Sequence, residues 1–126
     1  ENPIYEIVEK YPNIEYHIGF VDDADFKYYI GHSKYCVLNY CGTYFDRSSG
    51  VVLDVIFNGT PVVGTRCSAL NIVDENRLGL LYEDIAEINN SNLFDEKKFE
   101  LYLNSIRKYI DNQSKVRDCL CQFVKN

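Results

Sequence analysis

Apolar residues recur along this chain with two periods, and the switches between them mark the elements. In residues 3–10, Ile4, Ile7 and Val8 share one face at helical spacing. Pro3 fits a first turn and Pro12 stops the helix. Residues 13–20 alternate, with Ile14, Tyr16, Ile18 and Phe20 on one side, and predict a strand. Residues 22–33 predict a short helix capped by Asp22 or Asp23, with Phe26, Tyr29 and Ile30 inward. The run 35–40, centred on Cys36-Val37-Leu38, is continuously apolar and predicts a strand buried on both faces.

A polar loop, 41–50, follows. Residues 51–57 then admit two readings. Their β-branched residues favour a strand, and Asn58-Gly59 ahead of Pro61-Val62-Val63-Gly64 imitates a hairpin turn. The other reading is a buried helix closed by Gly59 and followed by a short strand. The alternation of strands and helices before and after this point selects the helix, over 49–57, as in parallel α/β sheets. Residues 78–82 predict another short strand. Phe99, Tyr102, Leu103, Ile106, Tyr109 and Ile110 keep helical spacing after a loop at 89–93, with Asp95 as cap. Asn112-Gln113-Ser114 predicts the start of a separate last helix, with Val116, Cys119, Leu120 and Phe123 inward.

Length allows one domain of 126 residues, and 46% apolar residues suffice for one core. A net charge of -6 and scattered Lys and Arg argue against a nucleic-acid partner, which needs a basic stripe. The five cysteines are odd in number and lack C-x-x-C spacing, so they read as reduced thiols rather than a disulfide framework or zinc site. No metal site is expected. No apolar run approaches the ~20 residues of a membrane span, and no leader is visible. The chain opens at Glu1 without an initiator Met and reads as a piece of a longer, cytoplasmic protein.

The candidate chemistry lies between the central strands. Asp54 is the only charge between Ser48 and Asn58. A buried lone carboxylate needs hydrogen-bond donors or a ligand, whereas a solvent-facing one needs neither. Asp46 stands eight positions earlier, and Arg47-Ser48-Ser49-Gly50 leads into the helix. Ser and Gly at a helix start suit an anion, or serve as a plain structural cap. His17 and His32 read as structural or surface residues. No Gly-x-Ser-x-Gly elbow, Gly-x-Gly-x-x-Gly turn or P-loop occurs.

Taken together the pieces form a pattern. A strand and polar loop lead to Asp46. Seven residues then separate Asp46 from Asp54, and Gly59-Thr60-Pro61-Val62-Val63 follows. This resembles the signature of retaining GT-B-type glycosyltransferases, above all glycosyltransferase family 4. There a Glu, seven residues, a second Glu and a Gly-x-Pro-Val-Val strand occur in this order. Residues 14–23, 28–40 and 72–81 also match family segments, so the likeness covers nearly the whole chain. Asp replaces Glu at both acidic positions, shortening the reach by one methylene. The family's Gly-Phe-Gly is here Arg47-Ser48-Ser49, and its Gly-Gly-x-Pro turn is Cys67-Ser68-Ala69-Leu70.

The resemblance implies an α/β fold: a Rossmann-like parallel sheet with helices on both faces, the C-terminal half of a GT-B fold with its first strands missing. Residues 1–126 would be a partial nucleotide-sugar-binding domain, with the absent strands between 14–20 and 35–40 in the order 3-2-1-4-5-6. It implies an enzyme that transfers a sugar from a nucleoside-diphosphate donor, with no other cofactor, as in polysaccharide biosynthesis. The acceptor, a glycan or lipid-linked molecule, would be held by an absent N-terminal domain. The fragment alone would be inactive and prone to self-association through unpaired edges. The full-length protein would lie in the cytoplasm or at the inner face of a membrane. The implied catalytic pair is Asp46, on hydroxyls of the donor sugar, and Asp54, on the ribose hydroxyls. Arg47, Ser48, Ser49, Gly50 and Val51 would hold the diphosphate, and Gly19, Phe20 and Val21 would border the base. The alternative is a non-catalytic α/β binding or interaction module that has lost sugar transfer.

Overall fold

The computed structural model describes residues 4–41 and 50–125. Helices α1 (Ile4–Lys10) and α2 (Asp23–Gly31) precede strand β1 (Cys36–Leu38). Helix α3 (Gly50–Phe57) leads to β2 (Val62–Thr65), and α4 (Asn71–Asn76) leads to β3 (Gly79–Tyr82). A helical turn, α5 (Asn90–Leu93), and the long α6 (Glu96–Lys125) complete the described chain. The strands form one parallel sheet in the order β1-β2-β3, with Val62 opposite both Cys36 and Gly79. The fold is therefore α/β, built from successive strand-helix-strand units.

Local chemistry explains the helix boundaries. The Asp22 carboxylate accepts from the Asp25 backbone N–H at 2.8 Å and caps α2. Asp95 Oδ1 accepts from the N–H groups of Lys97 and Lys98 at 3.0 and 3.2 Å and caps α6. Gly59 ends α3 at φ 85°, a left-handed conformation that side chains disfavour, and its N–H reaches the Ile56 carbonyl at 2.9 Å. Residues 50–57 are thus helical, as the alternation predicts, and their local β-propensity is overridden.

The core lies where α3, α4 and α6 meet the sheet. Val55, Ile56, Val62, Leu70, Val73 and Leu78 are fully buried there. Gly64 makes room for this packing, because a Cβ at that position would strike the Leu70 side chain and the Leu38 carbonyl. Thr60 is the buried polar residue among the described ones, and its Oγ1 donates to the Ile30 carbonyl at 2.7 Å. That bond ties the turn after α3 to α2.

Five expectations are corrected. Residues 14–20 are not a strand: among the described residues the segment has no strand to pair with, and it bends at Gly19, where φ is 91°. Strand β1 covers only 36–38 and is buried on one face: Leu38 is buried, while Val37, on the opposite face, is 59% exposed. Tyr29 is exposed rather than inward and packs its ring against His17, at 5.0 Å between centroids. The last helix is not separate. The chain runs through 112–114 as one helix, since Asn, Gln and Ser weaken a helix without breaking it. Its distal Val116, Cys119 and Leu120 face solvent, having no described element beside them. The Phe123 side chain lies outside the described ones.

Candidate functional site

Open parallel sheets bind ligands beyond the carboxyl ends of their strands. Three polar side chains meet there. Asn39 follows β1, Thr65 ends β2 and Tyr82 ends β3. Leu38, Gly64 and Leu81 are register partners, so the next position on each strand falls in one rung across the sheet. Alternation then turns all three side chains to the same face. Asn39 Oδ1 accepts from Thr65 Oγ1 at 3.1 Å and from Tyr82 Oη at 2.9 Å. Tyr82 is 2% exposed, so its hydroxyl needs this acceptor, while Asn39 lies open to solvent.

The residue after Thr65 adds charge. The Arg66 guanidinium pairs with the Asp74 carboxylate, and the Arg66 backbone N–H donates to the Tyr82 carbonyl at 2.7 Å. The end of β2 is thereby fixed to α4 and β3, and the arginine charge is locally matched. Both ionic side chains are about half exposed, so the pair itself adds little stability.

Of the anticipated site residues, Asp46, Arg47, Ser48 and Ser49 lie outside the described residues. Gly50 opens α3, and Val51 is 41% exposed in its first turn. Asp54 is exposed on α3, between the exposed Leu53 and Phe57 one turn away. Of the two alternatives the sequence left open, a buried carboxylate and a solvent-facing one, the structure shows the second. Its backbone carbonyl accepts from the Asn58 side-chain amide at 2.7 Å.

Gly19, Phe20 and Val21 lie in the unpaired segment before α2. Gly19 is left-handed at φ 91°, and Phe20 is 94% exposed. Val21 lines a cavity of about 410 Å³ with His17, Tyr29, Cys36 and Val37, at the open edge of β1. Burial pushes the Cys36 thiol pKa up, which disfavours the thiolate nucleophile. The structure thus places Val21 beside β1, leaves Phe20 in solvent, and puts Gly50, Val51 and Asp54 on α3. No described hydrogen bond joins the two groups.

Tyr35, just before β1, carries a buried hydroxyl that has no hydrogen-bond partner among the described residues. Burial first, then the negative potential of Tyr102, Glu96 and Asp95, raises its pKa. Its ring meets Phe99 edge-on at 5.5 Å, so its placement serves the docking of α6. Among the described residues, no three His, Cys, Asp or Glu side chains gather as a metal cluster would require. No described helix is long and apolar enough to cross a membrane.

The Asn39, Thr65 and Tyr82 rung was not singled out from the sequence. A signal was present: each apolar strand run ends on a residue with a polar side chain. Only the register shows that the three residues meet. Comparison of the chain with protein-family models, with curated proteins and with solved structures finds no match.

Proposed function

We propose that this chain is the donor-binding half of a GT-B-type glycosyltransferase, holding a nucleoside-diphosphate sugar at the carboxyl ends of its strands. The reading takes the sheet as part of a larger Rossmann-like sheet with helices on both faces. The observation that carries it is the acid-x7-acid pattern followed by Gly59-Thr60-Pro61-Val62-Val63. It gains support from the helical state of residues 50–57, because the pattern needs the second acid on a helix between two parallel strands. In this reading Asp54 accepts hydrogen bonds from the ribose diol and Asp46 from hydroxyls of the transferred sugar. Gly50 and Val51 offer N–H groups at the start of α3, where the helix dipole favours phosphate. Arg47, Ser48 and Ser49 complete the diphosphate site, and Gly19, Phe20 and Val21 border the base.

The test is calorimetry on the full-length protein with nucleoside diphosphates, beside donor turnover. Asp54→Asn is expected to weaken nucleotide binding by about 1–3 kcal/mol, the range for hydrogen bonds to a charged group. Asp46→Asn is expected to spare nucleotide binding and slow turnover. Unchanged affinity in a folded Asp54→Asn protein removes Asp54 from the site. Solvent exposure of Asp54 and its shortened side chain favour a second reading, a binding module of the same architecture without sugar transfer. Nucleotide binding without turnover of any donor would select it.

A further inference from the structure

Asn39 is exposed, yet its side chain is held in place. Its Oδ1 receives two hydroxyl donors, one from Thr65 at 3.1 Å and one from Tyr82 at 2.9 Å. Tyr82 is anchored in the core, and Thr65 is its register partner on the central strand. An amide with its oxygen doubly engaged turns its other end, an NH2 with two donors and no acceptor, away from those partners. Folding has already fixed the rotamer, so a ligand that takes this group need not order it.

The chemistry of a fitting ligand follows. The NH2 group suits an acceptor, and the carboxyl ends of parallel strands are where a ligand is expected. Arg66, the residue after β2, has its charge matched by Asp74. Neutral donors are therefore what the rung offers, in a chain whose net charge is -6. We propose that Asn39 is a ligand-binding residue whose Nδ2 donates to a phosphate oxygen of a diphosphate ligand. Thr65 and Tyr82 are its positioning residues. This inference rests on the donor-half reading, but uses none of the residues that the reading draws from the two-acid pattern.

Asn39→Asp tests it. The change keeps an acceptor for Thr65 and Tyr82, removes both donors and adds a charge that repels phosphate. Calorimetry on the full-length protein would use UDP, GDP, ADP and inorganic pyrophosphate. Binding of the nucleoside diphosphate that the unaltered protein accepts, and of pyrophosphate, is expected to weaken at least about tenfold, with the unfolding midpoint unchanged. Tyr82→Phe removes one anchor and is expected to weaken binding about threefold. The Asn39 side-chain NH2 resonances of the unaltered protein should move on addition of the diphosphate. Unchanged affinity in Asn39→Asp overturns the inference and leaves the donor-half reading standing. Loss for the nucleotide but not for pyrophosphate overturns the phosphate assignment. If Asn39→Asp does not fold, NH2 resonances that stay still under saturating ligand overturn the inference. Binding of none of the four compounds by the unaltered protein overturns both readings.

Discussion

Strand β2 and the segment 14–20 have similar credentials in the sequence and opposite fates in the structure. Both carry β-branched or aromatic residues in short runs. Strand β2 has a parallel neighbour on each side, and Val62 and Val63 are 0% and 2% exposed. The segment 14–20 has no described strand beside it, and Ile18 and Phe20 are 65% and 94% exposed. Burying one such side chain stabilises a fold by roughly 1.5–3 kcal/mol, and only the paired segment collects that gain. A strand is thus a property of a pairing rather than of a run of residues.

The comparison can be broken at its tightest point. A Cβ at Gly79 would overlap the Val62 backbone, where β3 pairs with β2. Gly79→Ala is expected to cost more than about 3 kcal/mol or to abolish cooperative unfolding, as read from urea denaturation. A variant as stable as the parent would show that the β2-β3 pairing is not as described.

Next in size is Leu70→Ala. Leu70 is fully buried and its side chain covers Gly64 of β2. The expected loss is about 2–5 kcal/mol, the range for a cavity left by a buried leucine. A loss under about 1 kcal/mol would mean that the helical cover over β2 relaxes freely.

The smallest effect belongs to the other region. Phe20→Ser is expected to change stability by no more than about 0.5 kcal/mol, because almost all of Phe20 already meets solvent. A loss above about 1.5 kcal/mol in the same urea titration would show that 14–20 is buried in solution, and the contrast with β2 would dissolve.

Several features were determined by the sequence alone, because the interactions that set them are short in range. Asp22 and Asp95 cap helices through N–H groups two or three residues away. Gly59 stops α3 through a bond to Ile56. The pattern around Asp46 and Asp54 was also legible, as spacing along one chain. The tertiary structure decided the rest. It exposed Asp54 on α3, where the sequence had left burial and exposure open, whereas the helix at 50–57 was already legible from the alternation of elements. It kept α6 continuous through 112–114 and left its distal apolar residues uncovered. It also assembled the polar rung, whose two hydrogen bonds join residues 26 and 43 positions apart. No local rule reaches that far. Pairing and register depend on which strands become neighbours, and that choice is made by burial of the whole sheet.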